Sequence, residues 1–162
     1  MPDPLEVSIY QYLTSTKPNA RIDRMAARTS LQKLVGDEIY LARRSRLPCG
    51  EESEYALTIR RLGRADYYDN WGEPDHAHAI IEFIALGTAQ PTMVIQLIDY
   101  VRICCAGYSG TMGDNGEVCD AVVRRESMPR PQTPSDASDR WGYHHSMDIE
   151  FIYKQQQVQF GV

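Results

Sequence analysis

The chain has little of what most enzyme classes need. It has four cysteines among 162 residues (Cys49, Cys104, Cys105 and Cys119) and no CxxC pair, so neither a thiolate zinc site nor a dithiol redox motif is spelled out. Lysine is nearly missing: 14 of the 17 basic residues are arginine. There is no basic excess, and the formal net charge of −5 argues against a general nucleic-acid binder. No apolar run approaches the ~18 residues that span a bilayer, and Met1-Pro2-Asp3-Pro4 lacks the basic and apolar regions of a signal peptide. The expectation is a water-soluble intracellular protein with reduced thiols and no membrane partner.

What remains is ordinary globular composition, 43% hydrophobic and 24% charged. A chain of this length fits one domain, residues 1–162, able to bury roughly 70% of its unfolded surface without disulfides or metal. The arginine bias admits two readings. Arginine pairs carboxylates in a planar fork and is enriched at subunit contacts, but codon usage raises it equally well.

Periodicity supplies the elements. Leu5, Ile9, Tyr12 and Leu13 recur at helical spacing after Pro4, predicting a helix over 4–15. Ile22, Met25, Ala26 and Thr29, then Leu31, Leu34 and Val35, give a second pattern ending at Gly36, a natural C-cap. The pattern leaves open whether this is a helix throughout or a helix and a strand. Residues 38–44 read as a strand, as do 55–62, where Tyr55, Leu57 and Ile59 alternate with Thr58 and Arg60. Residues 63–75 read as a polar loop carrying Tyr67, Tyr68 and Trp71. Residues 76–86 form a central strand with Ala77, Ala79, Ile81 and Phe83 on one face. A helix over 91–105 follows, with Thr88 as N-cap, Pro91 in the first turn, and Val94, Leu97, Ile98, Val101 and Cys105 as its apolar stripe. Glycines 107, 110, 113 and 116 space a turn before a strand over 118–125. A long polar loop, 127–142, feeds a terminal strand in which Met147, Ile149, Phe151 and Tyr153 alternate with Asp148, Glu150 and Lys154. The expected fold is α+β: a mostly antiparallel sheet of about five strands with helices packed on one face.

Candidate chemistry is sparse. His76-x-His78 on a strand, with Glu82 in the same parity, puts three metal-ligand types on one face. This resembles the first metal motif of cupins, and so suggests a small metal-dependent enzyme. The second histidine motif of a cupin does not follow, and His144-His145 would supply a ligand only by coincidence of folding. The plainer reading is a polar sheet face. The glycine-spaced segment 107–116 runs from helix into strand, the reverse of a phosphate loop, and Asp114-Asn115-Gly116-Glu117 is a turn without a calcium ligand set. Cys104 and Cys105 read as buried hydrophobes. Asp148 and Glu150 read as a solvated or subunit-facing surface. Tyr67, Tyr68 and Trp71 read equally as interface anchors or as packing over a sheet edge. No catalytic set and no cofactor emerge.

One stretch carries a family resemblance. Leu34-Val35-Gly36-Asp37-Glu38-Ile39-Tyr40, a helix ending in glycine and turning into a strand, resembles the tail-completion or tail-terminator (neck) family of long-tailed bacteriophages. The later elements, from Tyr55–Arg60 through Ala77–Leu86, Gln90–Cys105 and Asp148–Tyr153, follow in that family's order. The resemblance spans about Leu31 to Tyr153, with longer segments at 16–30 and 127–142. It implies a virion protein without catalysis, made in the host cytoplasm. Its subunits would form a ring, a hexamer, that caps the tail tube and joins the head-completion or connector protein. Other head–tail adaptors make similar rings. DNA would pass through the lumen without specific binding, and an acidic lumen would let it slide. The expected interface residues are Arg43, Arg44, Arg46, Glu51, Glu52, Tyr67, Tyr68, Trp71 and Trp141, with the loop 127–142 ordering against a partner.

Overall fold

The structure is a computed structural model, and it describes residues 4–18, 21–41, 54–68, 74–88, 90–132 and 142–154. Among the described residues three helices, α1 (Leu5–Thr14), α2 (Ile22–Val35) and α3 (Pro91–Cys105), accompany seven strands. The strands are β1 (Ile39–Leu41), β2 (Tyr55–Tyr68), β3 (Pro74–Gly87), β4 (Gly110–Met112), β5 (Gly116–Glu126), β6 (Arg130–Gln132) and β7 (Gly142–Lys154). They form one sheet in the order β1-β2-β3-β7-β5-β4, with β6 also pairing β7. All pairings are antiparallel except β1 with β2, which are parallel. The α+β architecture is therefore as expected, with two short strands beyond the five.

Each helix is set by simple local rules. Pro91 occupies the first turn of α3, where a missing N–H costs nothing. The cap is Gln90 rather than Thr88; Thr88 instead donates its backbone N–H to the Glu54 carbonyl. Val94, Leu97, Ile98 and Val101 are fully buried, and α3 lies across β3 and β7. Helix α2 ends at Gly36, whose φ of +56° suits glycine and whose N–H bonds the Gln32 carbonyl. The whole of 22–35 is one helix.

The inward face of α2 differs from the expected one. Arg24, Ala27, Arg28, Leu31 and Val35 are its buried residues, whereas Ile22 is 83% exposed. Two arginines occupy the inward stripe because their stems pack apolar surface and their guanidinium planes lie over tyrosine rings: Arg24 over Tyr108 and Arg28 over Tyr12.

Helix α1 touches β1 and β2 near one edge of the sheet and β4 at the other, so the sheet curls until both edges reach it. Arg61 of β2 grips Glu6 of α1 in a two-pronged pair. From the far edge, Asp114 donates its N–H to Gln11 Oε1. The β4–β5 turn lies so close that a Cβ on Gly113 or Gly116 would stand 2.5–3.0 Å from atoms of Ser8 or Gln11. The expected glycine-spaced turn is thus a hairpin clamped on α1.

Two expected loops are partly strand. Residues 63–68 continue β2, paired with β3 beyond a bulge at Arg61/Gly63, so Tyr67 and Tyr68 stand on a strand. Arg130–Gln132 of the expected 127–142 loop forms β6 against β7, which itself begins at Gly142 rather than Met147.

Candidate functional site

The core strands have two unlike faces. Leu57, Ile59, Ala79, Ile81, Phe83, Met147, Ile149 and Phe151 are buried beneath the helices. The opposite parity makes a helix-free face whose centre is charged. There Arg60 pairs Glu82, and Glu82 stands opposite Asp148, which stands opposite Arg125. In the next row Ile80 stands opposite Glu150, whose Oε1 lies 2.8 Å from Nδ1 of His78, one row further on, and whose Oε2 accepts from Arg124 Nε at 2.6 Å. A shallow cavity of about 160 Å³ opens among Glu82, Arg125, Arg130, His144 and Asp148.

Charge pairing tunes these carboxyls in opposite directions. Hydrogen bonds from His78 and Arg124 hold Glu150 below the usual carboxylate range. Burial, then the neighbouring Glu82, pushes Asp148 above it, against the pull of Arg125 and Arg60. On the helix side, burial pushes Glu126 upward, but hydrogen bonds from His145 and Arg102 together hold it below its ordinary value. That explains a nearly fully buried histidine: His145 Nε2 lies 2.8 Å from Glu126 Oε1.

The candidate metal ligands do not converge. His76 and His78 are neighbours, ring centroids 5.5 Å apart. His78, however, is taken up by Glu150 and Glu82 by Arg60, and Glu82 lies four strand residues away, about 13 Å. Among the described residues no three His, Cys, Asp or Glu side chains come together to hold an ion. Buried Cys104 and Cys105 offer no nucleophile either. Burial pushes the Cys104 thiol up to about 12 and Cys105 well above the thiol range.

Of the expected interface residues, Arg43, Arg44, Arg46, Glu51, Glu52, Trp71 and Trp141 lie outside the described residues, and Tyr67 and Tyr68 are placed by their backbone alone. The structure draws attention instead to a second surface that periodicity misassigned. Arg24 and Arg28, with Lys17, Tyr12 and Tyr108, line a recess of about 490 Å³ between α1, α2 and the β4 hairpin. Its signal in the sequence was the pair Arg24-x-x-x-Arg28, one helical turn apart and in step with Leu31 and Val35.

No protein-family model matches the chain, and no curated protein matches it. Among solved structures it is similar to a chain from the virion of a native gene transfer agent particle. The TM-score is 0.61 with 14% sequence identity, over 93% of this chain and 95% of that one. The shared property is the fold: a curled mixed sheet with helices on one face. No described helix is long and apolar enough to cross a membrane.

Proposed function

We propose that this chain is a structural virion subunit of the tail-terminator type. In that role it forms a ring, a hexamer, that caps a tail tube, joins it to the head-completion or connector protein and lets DNA pass through the lumen. The observation that carries the reading is the end-to-end likeness of fold to a chain of an assembled virion particle, at matching length on both sides. The absence of a converging ligand set around His76, His78 and Glu82 in the described residues favours it over a metal enzyme.

Assembly tests it. The purified chain should run as a ring several times the 18.4 kDa of the monomer and give annular particles by electron microscopy. Particles made without it should accumulate filled heads and unjoined tails. Unjoined tails of normal length, with the missing chain required only on heads, would assign it to another head–tail adaptor. One bound metal per chain, lost on His76→Ala, would favour the enzyme.

A further inference from the structure

The recess beneath α2 holds two buried cations without counter-ions among the described residues. Arg24 and Arg28 are 6% and 5% exposed. Their hydrogen bonds run to neutral carbonyls: Arg24 Nη2 to Ala106 at 3.2 Å, and Arg28 to Tyr12 and Lys17. Arg24 Nε, shut away from water, donates to nothing. Neither guanidinium pairs with a carboxylate among the described residues. The adjacent Asp23 is turned to Arg21, 2.6 Å away, and Asp114 sits at the mouth beside Lys17. Tyrosine faces offset part of the charge, but a buried cation ordinarily has an anionic partner.

The C-terminal end of α2 has the reverse imbalance. Asp37, just past α2, and Glu54, just before β2, are exposed. Neither has an ion-pair partner among the described residues, whereas Glu6, Glu82, Glu117, Glu126 and Glu150 all do. Because β1 and β2 run parallel, with Glu38 accepting the Leu57 N–H, Asp37 and Glu54 share one end of the sheet. Along α2, Arg24 and Arg28 lie 11 and 7 residues before Val35, so about 16 and 10 Å of helix separate them from that end.

We propose that the recess receives the carboxylates of Asp37 and Glu54 from a second copy of this chain, making a head-to-tail contact. This rests on the ring reading above and names the joint. A contact between two different patches on identical chains propagates around a closed ring, whereas a self-complementary patch stops at a dimer. Arginine and tyrosine in a concave, largely desolvated site are the residue types that anchor protein contacts. Duplex phosphate would meet the same guanidinium groups, but a net charge of −5 repels a polyanion more than it repels a pair of protein carboxylates.

Mass photometry over a concentration series, together with thermal melting, tests it. Asp37→Lys/Glu54→Lys alters only exposed residues; its melting temperature should match the parent monomer while the assembly midpoint moves up by about 100-fold or more, as two lost charge contacts imply. Mixed with Arg24→Met/Arg28→Met, which should not self-assemble, it should give heterodimers, because one intact contact survives per pair. Should the methionine chain fail to fold, the lysine chain alone decides. Assembly of the lysine chain like the parent overturns this contact and leaves the ring reading standing. A parent chain that stays monomeric at every concentration overturns both. Binding of a 30-base-pair duplex that the methionine variant loses would make the recess a phosphate site and overturn the proposal.

Discussion

Along β3 the side chains alternate between two environments. Ala77, Ala79, Ile81, Phe83 and Ala85 are buried, at most 1% exposed, and belong to the core beneath the helices; His76, His78, Ile80 and Glu82 lie on the helix-free face and keep part of their surface in water. The same strand therefore answers to two kinds of energetics. Inward, a missing methylene leaves a void in a close-packed core. Outward, ion pairs are screened and contribute little to folding. The exceptions mark where chemistry intrudes. Ala56 and Leu86 are buried on the helix-free side, and His145 is buried on the helix side through its bond to Glu126.

The comparison breaks first, and hardest, on the inward side. Phe83→Ala should cost roughly 3–5 kcal/mol and Leu97→Ala roughly 2–5 kcal/mol in denaturant melts. A Leu97 loss under ~1 kcal/mol would mean that α3 is peripheral. Next comes Gly87, buried where a Cβ would stand 2.6 Å from the Tyr55 ring and 2.8 Å from Val94 Cγ1. Gly87→Ala should cost about 1–3 kcal/mol by overpacking, and a neutral result would show that Tyr55 can swing aside. On the other face, Glu82→Gln should change folding stability by less than ~1 kcal/mol despite the loss of the Arg60 pair.

The smallest effect sharpens the contrast within that face. Glu150 titrates below its ordinary value, so its charge stabilises the fold above the unfolded-state value, and the gain is lost as pH falls through the folded one. Asp148 titrates above its ordinary value, so ionising it at neutral pH opposes folding, and acid relieves that penalty. Glu150→Gln should lower the melting temperature by a few degrees at most at neutral pH, whereas Asp148→Asn should leave it unchanged or raise it. Both differences should fade in acid. Equal and same-signed effects would show that the two carboxyls share one environment.

Much of the fold was legible because it was written in apolar spacing. Helix α3 appears at its expected bounds, since Pro91 fixes its start and six buried residues, Val94 to Cys105, repeat on one side. The inward residues of β3 and the second half of β7 were equally plain. What escaped lacks that spacing. Residues 63–68 extend β2 by backbone pairing while carrying Gly63, Arg64 and Asp66. The first residues of β7 include His145 and Ser146, which are held by hydrogen bonds to Glu126 and Ser127 elsewhere in the chain. Strand β4 lies among glycines that read as a turn. The recess was hidden for a related reason: periodicity assigns arginine to the outside, and only the tyrosines beneath Arg24 and Arg28 reverse that. His76, His78 and Glu82 share a face as their parity required, but parity says nothing of Arg60 and Glu150, which take two of them up.

The position of β7 in the sheet has a consequence for how the chain acquires its shape. It lies between β3 and β5 and also carries β6, yet it is the last described strand in sequence. While the chain is being made, β2–β3 can close as a local hairpin, but β5 has no neighbour other than the three-residue β4 until residues 142–154 emerge. Until then the inner edge of β3 stands unpaired beneath α3, a template for any other strand. Folding should therefore wait on a long-range insertion, slow for a domain of this size and most exposed to aggregation until β7 emerges.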